Sequence, residues 1–326
     1  MDLMDQIIDL LANGEEVIDV DEESFLLFAQ DIASNNLGML NPRAPSVEIS
    51  INSKEYIIHQ SPSLLSSHRA GGTTGAVLWK ITPKFAEWVT NPSNPLWTTA
   101  LLSQTSTVAE LGTGISALIA LVLAPSVRHY IATDQEYVRK LFRTNLDANA
   151  SVSISSSNGS KAKGKSKGSK SSKSKPTSST AKAVNNISFT TLDWETDQAA
   201  SLKECMDADE THGQDGEEEG EEDKGFDLLL SCDCIYNESL VAPFVRTCAE
   251  ICRLRPAYGA GSEEGARRKP TVCIIAQQQR SPDVFETWLR ETMQEFRVWR
   301  LSDDVLGEGL RSGSGYLIHL LLVKDK

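Results

Sequence analysis

From residue 107 onward, short strand-like apolar runs alternate with stretches of helical spacing. The runs at 107–111, 129–133, 187–192, 226–232, 271–276, 297–301 and 315–323 predict seven β-strands. Helices are predicted at 116–124, stopped by Pro125, and at 136–148, 239–253 and 283–295. The run F-D-L-L-L-S-C at 226–232 is nearly continuous, as expected of a strand covered on both faces. Residues 302–314 are acidic and glycine-rich, with no room for a good crossover helix. A short link of this kind allows an antiparallel last strand, whereas parallel neighbours need a longer connection. The expected fold class is α/β: a Rossmann-like sheet of seven strands with the last one antiparallel.

Upstream the pattern differs. Leu3, Ile7, Leu10 and Leu11 share a helical face over 2–12, and 22–33 continues in that style. Residues 47–59 alternate apolar and polar side chains around Asn52-Ser53, which reads as a β-hairpin. Residues 61–74 read as a loop, and Pro83 suits the first turn of a helix running to Val89. The expected organisation is an N-terminal helical and hairpin extension at 1–74, followed by a domain at 75–326.

Composition adds three inserts to that domain. Residues 151–182 are almost entirely Ser, Lys, Gly and Thr; 203–224 form an acidic tract; 259–269 form a glycine-rich loop. The first two offer too little apolar surface to offset chain entropy, so both are expected to be disordered. The net charge is −13, and the chain stays acidic when the lysine tract and the acidic tract are set aside together. A direct nucleic-acid ligand is disfavoured, and a basic protein partner would be attracted. No apolar run is long enough to span a membrane, and the start of the chain has no signal-peptide pattern. Six cysteines in apolar or helical contexts suggest reduced thiols. No His stands near Cys248 and Cys252 to complete a metal site, so no metal is expected.

The candidate chemistry centres on T-V-A-E-L-G-T-G-I-S-A at 107–117. A strand ends in Gly112 and Gly114, whose lack of a Cβ permits positive φ and close approach of a ligand. A helix following at once would present its free N–H groups there. Asp134 ends the next strand, placed to accept hydrogen bonds from ribose hydroxyls. The glycines alone suit NAD and S-adenosylmethionine equally, and also an ordinary βα turn. Glu110 shifts the balance, because a carboxylate there repels a pyrophosphate and suits the ammonium of a methionine moiety.

Further motifs extend the pattern: V-L-W-K at Val77 to Lys80, T-D-Q at Thr133 to Gln135, L-D-W-E at Leu192 to Glu195 and D-C-I-Y-N-E at Asp233 to Glu238. With E-L-G-x-G, this set resembles the seven-β-strand protein lysine methyltransferases of the methyltransferase-like 21 group, whose hallmark is D-x-x-Y after the fourth strand. Among them it most resembles the fungal ribosomal lysine N-methyltransferase 5 family. The resemblance covers 75–326 apart from the inserts.

It implies S-adenosylmethionine as cofactor, with Glu110, Gly112 and Gly114 at its methionine end and Asp134 at its ribose. Asp193 and Trp194 would flank the adenine, with Trp79, Ser231 and Cys232 nearby. Asp233 and Tyr236 would be catalytic. Asp233 would orient the incoming lysine, and Tyr236 would wall its channel. The implied substrate is a basic protein, a large-subunit ribosomal protein by the family name, methylated by a monomer in the cytoplasm or nucleus. A small-molecule methyltransferase, an NAD-dependent oxidoreductase and an inactive methyltransferase-like binding module remain as alternatives.

Overall fold

The structure is a computed structural model. It describes residues 3–32, 36–67, 72–154, 186–207, 225–255 and 269–324. Most of the three predicted inserts lies outside these residues.

Among the described residues, ten strands form two sheets. They are β1 (Gly14–Val17), β2 (Ser46–Ile51), β3 (Lys54–His59), β4 (Thr107–Leu111), β5 (His129–Asp134), β6 (Ile187–Thr191), β7 (Leu228–Cys232), β8 (Val272–Gln278), β9 (Phe296–Leu301) and β10 (Tyr316–Val323). The main sheet has the order β1-β9-β10-β8-β7-β4-β5-β6. Strands β6, β5, β4, β7 and β8 pair in parallel, and β10 runs antiparallel to both β8 and β9. The expected seven-stranded architecture with its antiparallel last strand is therefore present. Order reverses at β4, so the crevice beyond the carboxyl ends of β4 and β5 is where such a sheet binds ligands.

The continuous apolar runs have a clear cause. Val108, Leu228, Leu230, Ile274 and Ile318 face one hydrophobic layer. Ala109, Leu111, Leu229, Ile275 and Leu317 face the other. Side chains alternate across the sheet with period two, and both faces are dry.

The sheet has an eighth strand that the apolar pattern misses. Strand β1, G-E-E-V, pairs antiparallel with the edge strand β9. Only Val17 is buried; Glu15 and Glu16 are exposed. The strand is secured by charge: Glu16 takes both N–H groups of the Arg297 fork at 2.8 Å, and Glu15 pairs with Arg300. Gly14 allows close approach, since a Cβ there would lie 2.7 Å from the Arg300 carbonyl oxygen.

The hairpin β2–β3 turns through Asn52 and Ser53, both at positive φ, the two-residue geometry that fits strand twist. Its open edge is closed by a helix, Arg139–Ile154. Asn145 Oδ1 accepts from the His59 N–H and its amide donates to the His59 and Ile115 carbonyls. One turn later Asn149 does the same for the N–H and carbonyl of Ile57. Two side chains four residues apart on a helix thus act as a partner strand, and both are buried. Asn145→Ala would strand three backbone groups at about 1 kcal/mol or more each. The expected result is a lower urea midpoint with an unchanged slope, measured by circular dichroism.

Candidate active site

The turn after β4 takes an unusual path. Gly112, Gly114 and Ala117 all have positive φ, at +68°, +61° and +54°. The helix that follows, Leu118–Leu123, starts later than the expected residue 116 because Ala117 sits in the left-handed region. The N–H groups before it are already used: Gly114 N–H bonds Asp134 Oδ2 at 2.8 Å, and Ile115 N–H bonds the Gly75 carbonyl at 2.9 Å. These two N–H groups are therefore not free for a ligand. The turn forms a backbone cradle too tight for a side chain, since at Gly112 a Cβ would lie 2.2 Å from Cys234 Sγ.

A cavity of about 420 Å³ opens over this cradle, within the range of small-molecule sites. Trp79, Glu110, Gly112, Gly114, Asp134, Asp193, Trp194, Cys232, Asp233 and Tyr236 all line it. Of the predicted site residues, Ser231 alone does not. It is fully buried, with its hydroxyl donating to the Leu111 carbonyl at 3.2 Å.

Two carboxylates form the floor, Glu110 buried and Asp134 half-buried. Glu110 Oε2 accepts from Tyr130 Oη at 2.7 Å and Thr113 Oγ1 at 2.8 Å. Burial nonetheless outweighs these bonds and pushes its carboxyl up to about 7. Asp134 accepts from the Gly114 and Gln135 N–H groups, yet burial pushes it up to about 6. Both groups are costly to ionise in the free protein, which suits a ligand bringing a cation and hydroxyl donors. Cys232, beside them, has its thiol raised by burial and stays neutral.

One wall is aromatic. Trp194 packs edge-on against Phe244, with centroids 5.0 Å apart. Its Nε1–H is occluded and finds no hydrogen-bond partner among the described residues. Asp193 turns the chain into Trp194, its Oδ1 accepting from the Glu195 N–H. Across the cavity, Trp79 Nε1–H donates to the Thr74 carbonyl at 3.0 Å.

Asp233 and Tyr236 complete the lining. Asp233 has φ +66°, and its N–H donates to the Ala276 carbonyl at 2.7 Å. It does not cap the following helical segment; Asn237 does. Its carboxylate accepts both guanidinium nitrogens of Arg280, at 2.7 and 2.6 Å, and the Gln278 N–H at 3.1 Å. Tyr236 is 40% exposed, and its phenol oxygen accepts from Thr74 Oγ1 at 3.2 Å. Sequence reasoning missed Arg280, which follows the three glutamines at the end of β8 with no motif around it. It also missed Tyr130 and Thr113, whose hydroxyls read as ordinary strand and loop polarity. Among the described residues, no cluster of His, Cys, Asp or Glu is arranged to hold a metal. No helix among them is long and apolar enough to cross a membrane.

No family model matches the chain. Over 261 residues it is 29% identical to ribosomal lysine N-methyltransferase 5 of Zygosaccharomyces rouxii, covering 74% of this chain and 72% of that protein. Proteins of the same name from other yeasts match over up to 82% of this chain. A shorter stretch, 134 residues, is 37% identical to a diaminohydroxyphosphoribosylamino-pyrimidine deaminase of Schizosaccharomyces pombe. That match covers 41% of this chain and 32% of the other protein, so the chain spans about a third of that relative's length. The H-x-E and C-x-x-C ligand motifs of zinc deaminases have no counterpart in this sequence. Among solved structures, the N-methyltransferase NodS from Bradyrhizobium japonicum in complex with S-adenosyl-L-homocysteine aligns at a TM-score of 0.33 and 11% identity, covering 72% of this chain and 90% of that one. The resemblance to the fungal ribosomal lysine N-methyltransferase 5 family, stated above on motifs, thus holds across about three quarters of the sequence.

Proposed function

We propose that this chain, similar over most of its length to the yeast ribosomal lysine N-methyltransferases, is an S-adenosylmethionine-dependent protein-lysine N-methyltransferase acting on a large-subunit ribosomal protein. One observation carries the reading: the Asp233–Tyr236 motif lines the same cavity as Glu110, Gly112 and Asp134.

The residues fit the cofactor. The Gly112 cradle has no room for a side chain. Glu110 would take the ammonium of the methionine end, and Asp134 the ribose hydroxyls. Trp194 and Asp193 would border the adenine, and the Trp194 Nε1–H lacks a partner among the described residues. S-adenosylmethionine, when bound, supplies a methyl group on a sulfonium that needs no metal to activate it.

The rest falls to the chain. Asp233 orients the target nitrogen with a hydrogen bond, and Tyr236 confines the lysine stem at the exposed rim. Alignment of this kind is the main service a bimolecular transfer needs. The acidic chain attracts a basic ribosomal protein by charge. The reading places the protein as a monomer in the cytoplasm or nucleus, where ribosomal proteins are made and assembled.

The test uses tritiated S-adenosylmethionine and large ribosomal subunits from a yeast lacking its own ribosomal lysine N-methyltransferase 5. Label in one large-subunit protein supports the reading. Label confined to small molecules, or no label at all, overturns it.

Cofactor binding should depend on pH. The folded, ligand-free protein holds the Glu110 proton up to about pH 7, whereas an unfolded chain releases it near pH 4 to 5. The folded state therefore binds more protons between these values, and free-protein stability falls as pH rises through them. Binding an ammonium requires Glu110 to ionise, so affinity falls on acidification. Calorimetry with S-adenosylhomocysteine is expected to show about tenfold weaker binding at pH 6 than at pH 8, and Glu110→Gln to bind weakly with little pH dependence.

A further inference from the structure

Asp233 is already paired before any substrate arrives. Arg280 holds both carboxylate oxygens through its planar fork, with the carboxylate side chain only 3% exposed. The guanidinium carbon lies 4.8 Å from the centre of the Trp79 ring, so the fork is also stacked. The Gln278 N–H adds a third bond at Oδ1, and the backbone of Asp233 is fixed by the Ala276 carbonyl. Asp233 lines the large cavity, while Arg280 lines a small adjoining depression with Phe28 and Gln278. Oδ2 carries one donor from Arg280, which leaves it capacity to accept another.

This arrangement bears on a conflict in the chemistry. A methyl-accepting lysine must be positioned, yet it attacks only as the neutral amine. A lone buried carboxylate positions it well but stabilises the ammonium, raising the lysine pKa by one to three units or so. A carboxylate neutralised by a guanidinium still accepts a hydrogen bond without that penalty. Among the described residues, the other ionisable groups near Asp233 do not supply this neutralisation. Tyr236 and Cys234 on the same segment, Cys232 on β7 and Tyr316 on β10 are all raised by burial and remain uncharged. Glu110 and Asp134, elsewhere in the cavity lining, are acidic.

We propose that Arg280 is a positioning residue of the transfer: by neutralising Asp233 it lets the target lysine be aligned as an amine and not locked as an ammonium. The inference rests on the methyltransferase reading above. In the step itself the lysine ammonium first gives its proton to water. The nitrogen then forms a bond to the methyl carbon as the carbon–sulfur bond breaks, and sulfur keeps the electron pair as a neutral thioether. The pH at which half the bound lysine is neutral sets the acid limb of the rate profile.

The test compares the full-length chain with Arg280→Met, Arg280→Gln and Arg280→Lys, using large ribosomal subunits as methyl acceptor. Single-turnover transfer is followed from pH 6 to 10, and S-adenosylhomocysteine affinity is measured by calorimetry. The two neutral variants are expected to move the acid limb up by about one pH unit, losing about tenfold in rate at pH 7 and recovering at high pH. Arg280→Lys keeps the charge and is expected to keep the limb near its original position. Affinity for S-adenosylhomocysteine should stay within about twofold throughout, which also shows that the variants fold. A loss of equal size at every pH in both neutral variants marks a structural role and overturns the inference. Wild-type protein that labels no lysine overturns the methyltransferase reading itself, whereas active wild type with unshifted variants overturns this inference alone.

Discussion

Asp233→Asn is expected to lower methyl transfer by a factor of about 10² while leaving S-adenosylhomocysteine affinity within about threefold. Asparagine is the informative replacement because the site is conformationally demanding. Residue 233 has φ +66°, a region asparagine tolerates far better than most residues. Its amide oxygen can still accept from the Gln278 N–H and from Arg280, so the local structure is kept. The strong acceptor that orients the lysine nitrogen is replaced by a weaker amide oxygen, and Arg280 is left as an unneutralised cation that repels the incoming ammonium before it can lose its proton. Asp233→Ala is a poorer experiment. It puts a Cβ without a compensating hydrogen bond at positive φ and strips Arg280 of its partner, so stability and transfer would fall together. Single-turnover labelling alongside calorimetry separates the two effects.

The second large effect belongs to Gly112. A methyl group there meets Cys234 Sγ at 2.2 Å and must also adopt φ +68°. The sulfur sits on a short, packed side chain that cannot swing far, since Cys234 is tied back toward the Leu111 carbonyl at 3.4 Å. Gly112→Ala is expected to lower the melting temperature and to weaken S-adenosylhomocysteine binding by more than about tenfold. Adding Cys234→Ala should restore part of the stability by removing the clash, leaving about 1 kcal/mol from the backbone. Non-additivity of the pair, measured by a double-mutant cycle in thermal denaturation, is the signature expected of touching sites. Gly114→Ala is a useful contrast, because its Cβ would lie a milder 3.2 Å from the Gly75 carbonyl oxygen.

Much of this site could be read from the sequence, for a physical reason. Strands β4, β5, β7 and β8 are covered on both faces, so their apolar runs stand out. Each functional residue sits at or just past the end of such a run: Glu110 and Gly112 at β4, Asp134 at β5, Asp233 after β7. Chain topology then brings those ends together without further information. What escaped depends on pairings that carry no local pattern. Strand β1 is an edge held by Glu16–Arg297, with one buried side chain and no alternation to detect. The Asn145 and Asn149 pair looks like ordinary helix-surface polarity until the hairpin edge is set against it. Ser231 lies one residue from Cys232 but points the other way across the sheet, into the Leu111 carbonyl. Arg280 is joined to Asp233 across 47 positions in sequence, through the β7–β8 register. The late helix start after Gly114 follows from Ala117 adopting φ +54°, which its residue type does not announce.

In the function proposed here, this cavity delivers a methyl group to a lysine nitrogen. The most direct measurement is amino-acid analysis of ribosomal protein labelled by the wild-type chain from tritiated S-adenosylmethionine, after acid hydrolysis. Radioactivity is expected to co-migrate with methyl-lysine and to be lost when Asp233→Asn replaces the wild type. Radioactivity in methyl-arginine, methyl-histidine or a base-labile ester, with lysine unlabelled, would contradict it.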